Sequence, residues 1–315
     1  MTKFTIKDLE NLSGIKAHTI RIWEQRYSFL KPSRTDTNIR YYSSDDLKII
    51  LNISILNKYG YKISHLNKMS VNDVRSRVAE LNLAGAQQER IVNELIQLMV
   101  DLDTSGFEKL LDKQITANGI EKIIIRIIFP FFERIGILWQ TGHINPAQEH
   151  LITNIVRQKL IVGIDQARSL VKIKRSFLLF LPEREHHELG LLLVYYLLKK
   201  RGAEVLYIGA NVPLKDAQFV ADTKKPDFVY IHLTSSSPGF NFEKFLKQTA
   251  ESISKPKIIV SGFPIQGYKK PIPKNVEFKH SLVELVEFIS SLQASIPFIL
   301  PYFLLSESAF FSFNH

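Results

Sequence analysis

Phe177-Leu178-Leu179-Phe180-Leu181 is an unbroken apolar run, and the polar stretch Pro182-Glu183-Arg184-Glu185-His186-His187-Glu188 follows before Leu189-Gly190 opens an amphipathic segment. A short continuous apolar run bounded by a polar loop reads as a strand buried on both faces, because a half-exposed strand would alternate. Three more runs have this character: Val205–Ile208, Phe228–Ile231 and Ile258–Val260. Amphipathic stretches at Leu189–Arg201, Lys215–Thr223 and Phe242–Ile253 separate them. The alternation predicts an α/β doubly wound parallel sheet, Rossmann-like in outline, over residues 173–295.

Working back from that region, the period changes. Segments near Ile91–Leu102, Phe107–Ala117, Ile120–Trp139 and Pro146–Leu170 carry apolar residues at spacings of three and four. Short joints between them predict an all-α four-helix bundle over residues 89–172. Asn145-Pro146 marks a helix start, with Asn as cap and Pro at the first helical position. Residues 76–88 are polar and weakly periodic, and read as a helical linker.

The first 75 residues form a third module. They hold eight Lys and five Arg against seven acids. Thr5 can cap a helix over Ile6–Leu12, with Asp8 in the capping-box position, and Ser13-Gly14 supplies a turn. A second helix follows over about Lys16–Tyr27, with Ile20 and Trp23 facing inward. Helix, Gly-containing turn, helix is the pattern of a helix-turn-helix. Asn38-Ile39-Arg40-Tyr41-Tyr42 then reads as a short β-wing with Arg and Tyr at its tip, and a further helix runs from Ser44 to about Tyr59, where Gly60 stops it.

Composition narrows the function. With 45% hydrophobic and 23% charged residues in 315, the chain reads as a soluble globular protein of several domains. The absence of cysteine excludes disulfides, thiolate catalysis and thiolate metal sites. A net charge of +10 suits a polyanionic partner. No apolar run at the start is long enough for a signal peptide, so the expected location is the cytoplasm. The Phe-rich residues 296–315 are too short and interrupted to span a membrane, and their role is not apparent from the sequence.

Thr19-Ile20-Arg21-Ile22-Trp23-Glu24-Gln25-Arg26-Tyr27 resembles the reading-helix signature of MerR-family transcription regulators, in the form typical of the CarH/LitR-type light-responsive repressors. The wing, with Arg34 and then Ile39-Arg40-Tyr41-Tyr42, is similar to the same family. The resemblance implies a DNA-binding surface of Lys16, His18, Thr19, Arg21, Arg26, Arg34, Arg40 and Tyr41 on double-stranded operator DNA. The chemistry agrees, since outward Arg forks on a recognition helix meet phosphates and base edges.

Glu185-His186-His187-Glu188-Leu189-Gly190 resembles the Asp/Glu-x-His-x-x-Gly motif of cobalamin-binding domains, with Glu185, His187 and Gly190 in the fixed places. His187 would be the lower ligand to the cobalt of cobalamin, and Glu185 would bond its other nitrogen and set its basicity. His186 is the neighbour the frame rejects. Trp139, followed after nine residues by Glu149-His150, is similar to the cap-domain motif of the same regulators; these three would form a lid over an adenosyl group. Thr234 and Gly262 fall at the ends of the third and fourth strands, where cobalamin domains hold the nucleotide tail. There the sequence departs from the pattern. His232-Leu233-Thr234 lacks the usual Ser, Ser261-Gly262 replaces a Gly pair, and Gln140 stands where light-sensing members often have His.

The expectation is a non-enzymatic, one-component regulator, a repressor that binds adenosylcobalamin and works as a dimer or tetramer, without membrane contact. Two alternatives remain at this point. One is a regulator that kept the fold but senses a protein partner; the other is a corrinoid methyl carrier.

Overall fold

The computed structural model describes residues 3–81, 83–140, 145–169, 173–234 and 240–292, with backbone alone at residue 84 and residues 137–140. The chain divides into two compact units, Met1–Asn154 and Ile155–His315.

In the first unit, α1 (Ile6–Ser13) starts at the expected capping box between Thr5 and Asp8 and ends at Gly14, whose φ of 73° closes the helix in the left-handed region. Helix α2 (Ala17–Arg26) buries Ile20 and Trp23. Strands β1 (Ser33–Arg34) and β2 (Arg40–Tyr41) pair antiparallel. This corrects the expected wing tip. Arg40 and Tyr41 lie in the returning strand, and the turn itself is made by residues 35–39, with Thr35 N–H donating to Ile39 O at 2.9 Å. Helix α3 (Ser44–Lys58) is capped by Ser43, which forms a capping box with Asp46.

A four-residue helix α4 (Ile63–Leu66) and α5 (Val71–Glu80) follow. Within the stretch read as a linker, Val78 packs into the core beside Val74, Trp23, Ile53 and Leu56. Helices α6 (Ala84–Val100), α7 (Thr104–Asn118), α8 (Ile120–Ile123), α9 (Phe129–Gln140) and α10 (Pro146–Gln166) supply the expected helical region. The segment expected as one helix over Ile120–Trp139 is interrupted by a π-helical turn at Ile124–Ile128. Pro130 explains it, because its ring offers no N–H and collides with the carbonyl four residues back. The helix start at Asn145-Pro146 forms as read, with Asn145 Oδ1 accepting from Ala147 N–H at 2.9 Å.

The second unit is built on a five-stranded parallel sheet of β3 (Ser176–Pro182), β4 (Glu204–Val212), β5 (Phe228–Leu233), β6 (Lys257–Gly262) and β7 (Val276–Lys279), in the order β4-β3-β5-β6-β7. Helices α11 (Leu189–Lys200), α12 (Leu214–Lys224), α13 (Phe242–Ser252) and α14 (Leu282–Ser291) cover it. On one face Leu178, Phe180, Val229, Ile231, Ile258 and Val260 meet Ala217, Ala221, Leu246 and Ala250. On the other, α11 packs on β3, β4 and β5. The fifth strand was not anticipated: four residues with alternating burial carry no continuous apolar run. The chain leaves inner strand β3 for β4 on one side and returns to β5 on the other. The switch point of the sheet therefore lies between the carboxyl ends of β3 and β5, where open α/β sheets hold ligands.

Candidate functional site

The head presents one polar face of α2. His18, Arg21, Ile22, Gln25 and Arg26 are exposed while Ile20 and Trp23 are buried, which is the division that helical spacing demands. Lys16 is exposed and lies 3.4 Å from Glu10, and His18 Nε2 lies 3.3 Å from the half-buried Thr19 Oγ1. On the wing, Arg34 Nη1 donates to the Asn38 side chain at 2.7 Å and to its carbonyl at 3.2 Å. Tyr41 is half-buried, with Lys3 Nζ 4.4 Å from its ring centre.

Glu24 joins wing to helix, a role that sequence reasoning missed. Its carboxylate accepts from Tyr42 Oη and pairs with Arg40 Nε at 3.3 Å. Burial, and next the hydrogen bond to Glu24, push the Tyr42 phenol above its ordinary value, so it stays a donor. Arg40 is thereby aimed from β2 by a carboxylate on α2. The signal available was the i+4 spacing of Glu24 from Ile20, which turns it toward the inner face. Gln25 was also passed over, although it shares the exposed stripe seven residues after His18.

The second constellation sits at the switch point. Glu185 is buried and half-buried His187 stands two residues on. Glu185 Oε1 accepts from His187 N–H at 3.0 Å and lies 2.7 Å from His187 Nδ1, while Oε2 accepts from Thr234 N–H at 3.1 Å. One carboxylate thus ties the β3 loop to the end of β5. Bonded to a carboxylate, Nδ1 carries the proton and Nε2 carries the lone pair. His186, by contrast, is exposed. Glu188, next in the loop, accepts from Arg157 Nε on α10 and from Tyr207 Oη on β4 at 2.7 Å.

Behind this pair lies a buried chain of polar groups. His232 Nδ1 is 2.8 Å from Ser261 Oγ, and Ser261 Oγ is 2.6 Å from Tyr230 Oη. Burial drives the His232 pKa down to about 4, against the pull of Glu185. Gly190 is obligatory beside it, since a Cβ there would come within 2.5 Å of His232 Cδ2. Gly262 is equally constrained: at φ 115° a Cβ would sit 1.8 Å from Leu233 O. The space beside Gly190 is thus filled by His232, and that beside Gly262 by the β5 backbone. Among the described residues, Thr234 Oγ1 is buried without a hydrogen-bond partner.

The expected lid residues are only partly visible. Trp139 lies in the last turn of α9, and the side chains of Trp139 and Gln140 lie outside the described residues. Glu149 is buried in the first turns of α10, its Oε1 accepting from Thr153 Oγ1 at 2.6 Å. Its Oε2 is buried, makes no hydrogen bond among the described residues, and lies 2.9 Å from Nδ1 of the exposed His150. The Phe-rich tail at 296–315 also lies outside them. No described helix is long and apolar enough to cross a membrane.

Comparison with known proteins agrees with this layout. Residues 4–70 match the family described as MerR HTH family regulatory protein, and residues 91–162 match the family described as B12 binding domain. The chain is 28% identical over 256 residues to the HTH-type transcriptional repressor CarH of Myxococcus xanthus, covering 79% of this chain and 85% of that protein. It is 24% identical over 284 residues to the HTH-type transcriptional repressor CarA of the same organism, covering 89% and 94%. Among solved structures, the monomethylamine corrinoid protein of Methanosarcina barkeri aligns at a TM-score of 0.47 and 14% identity, covering 65% of this chain and 97% of that one. The chain thus joins a MerR-type helix-turn-helix to a B12-binding domain and is homologous, at modest identity, to the CarH and CarA repressors.

Proposed function

We propose that this protein is a transcription repressor of the cytoplasm whose hold on operator DNA is set by an adenosylated corrinoid. The observation that carries the corrinoid site is the Glu185–His187 pair at the switch point, with Glu185 fixed a second time by Thr234 N–H. His187 Nε2 would be the lower ligand to cobalt, and Glu185 would fix the tautomer and raise ligand basicity. Thr234 Oγ1, buried without a hydrogen-bond partner among the described residues, suits a ligand rich in hydroxyl and amide groups. When bound, an adenosyl corrinoid supplies a light-labile cobalt–carbon bond. This chain's residues bind, orient and shield it, and carry no catalytic role. Trp139, Glu149 and His150 are assigned to the adenosyl side. Lys16, His18, Thr19, Arg21, Arg26, Arg34, Arg40 and Tyr41 are assigned to DNA, and association of two or four copies places several heads on one operator.

The test is dark reconstitution with adenosylcobalamin, dialysis and absorbance spectroscopy. Wild type should retain the corrinoid with a His-on spectrum. His187→Ala should lose that spectrum and His186→Ala should keep it. Glu185→Gln should weaken binding by about 10–100-fold, as losses of a ligand's orienting partner do. A second reading, a regulator that senses a protein partner through the same fold, is favoured by the buried His232–Ser261–Tyr230 chain beside Gly190. A wild-type protein that stays colourless would select it.

A further inference from the structure

The geometry points to Arg134, which lies outside the proposed DNA-reading surface, as the residue that positions the helix-turn-helix for DNA. The inference rests on the reading of residues 4–70 as a DNA-binding head. Arg134 is on α9, within the stretch that matches the B12-binding family. Its Nη2 donates to Leu12 O, in the last turn of α1, and its Nη1 donates to Asn93 Oδ1 at 2.5 Å. Asn93 is buried and passes the connection on, its Nδ2 donating to Leu51 O of α3 at 3.2 Å. Two carbonyls of the head, on two different helices, are thus held by one guanidinium–amide pair from the helical bundle.

The chemistry gives this pair a reason. The last carbonyls of a helix have no partner within it and carry the negative end of the helix dipole. Helix α1 has no basic residue in its own last turn. Its cation arrives instead from a position 122 residues further along the chain. Burial works against the charge on Arg134, and the charges of Glu89 and Glu133 offset this in part. A half-buried guanidinium spent on neutral acceptors is an expensive way to gain stability, since an apolar side chain of similar volume would fill the space. What it supplies instead is a fixed angle. Gly14, Ile15 and Lys16 alone separate the end of α1 from the start of α2, so any shift at Leu12 is carried into the helix that bears Arg21 and Arg26. α1 also packs against α9, and α3 against α6. The head is therefore seated on the B12-matched helices by a directional contact.

The test uses the full chain and the duplex that wild type enriches from a randomised DNA pool. Arg134→Met should bind that duplex about 5–20-fold more weakly at 10 °C, where circular dichroism shows it folded. Its salt dependence should match wild type, because no phosphate contact has gone; losing a phosphate contact would flatten the slope by about one. Arg134→Lys keeps a cation at the end of α1 and should recover affinity to within about 3-fold. Should Arg134→Met fail to fold, Asn93→Asp takes its place: it keeps an acceptor for Arg134 but removes the donor to Leu51 O, and should weaken binding at least 2-fold. A folded Arg134→Met with wild-type affinity, or a Lys variant no better than Met, overturns the assignment; so does wild-type affinity in a folded Asn93→Asp. If wild type enriches no duplex, the reading of the head has failed instead.

Discussion

Acid should loosen the α/β unit through His232. The folded protein keeps this imidazole neutral, with a pKa lowered from 6.5 to about 4 chiefly by burial. The unfolded chain takes up the proton near 6.5, so as pH falls below that value the unfolded state binds more protons than the folded one. The stabilisation is complete above pH 6.5 and is lost progressively between 6.5 and 4. At roughly 1.4 kcal/mol per pH unit, the full interval is worth about 3 kcal/mol, and lowering the pH from 7.5 to 5 should remove about 2 kcal/mol of it. Carboxylates held low by their partners, such as Asp227 and Glu277, lose stability in the same direction. The informative quantity is therefore the difference between wild type and His232→Asn, which does not titrate but can still bond Ser261. Urea unfolding at several pH values, read by hydrogen exchange in peptides covering residues 228–234, isolates the unit that carries the histidine. The wild-type opening free energy should fall about 2 kcal/mol further than that of the variant over this interval. Parallel curves would refute the claim that a neutral, buried imidazole is part of the core.

Four other outcomes follow from the geometry. Gly262→Ala should destabilise the α/β unit by about 3 kcal/mol or more, since it adds overlap with Leu233 O to a positive-φ strain; a melting temperature unchanged by circular dichroism would contradict it. Arg21→Ala should cost about 1–3 kcal/mol of DNA affinity and relax preference at one base position, checked by competition with singly substituted duplexes. Arg40→Ala should weaken all duplexes alike and flatten the salt slope by about one, and Glu24→Gln should weaken binding in the same sequence-independent way because it releases Arg40.

What the sequence displayed was whatever local chemistry fixes. The capping box at Thr5 and Asp8, the buried pair Ile20 and Trp23, and the four continuous apolar strands were readable because each is decided within a few residues. The Glu185–His187 pairing was readable for the same reason: two residues apart in a tight loop, they have little choice but to meet. What stayed hidden depends on partners far along the chain. Strand β7 is a strand because β6 lies beside it, not because Val276–Lys279 has a strong pattern of its own. The link from Arg134 to Leu12 and that from His232 to Ser261 join residues that no spacing rule connects. The departure at His232 and Ser261 was visible as a substitution, but its meaning, a closed polar chain with Tyr230, needed the packing of β5 against β6.

Strand β4 is a nine-residue outer edge of the sheet, long enough to invite another chain to add to it. It does not stay regular. Its pairing with β3 shifts register beyond Leu179 and again before Pro182, and Gly209 and Asn211 both take positive φ. Such irregularity twists an edge away from the flat hydrogen-bonding row that amyloid-like growth requires. At the opposite edge β7 offers only four residues, with Lys279 among them. Both rims are thus poor templates for sheet extension, so neither edge of the sheet invites chain after chain to add without limit.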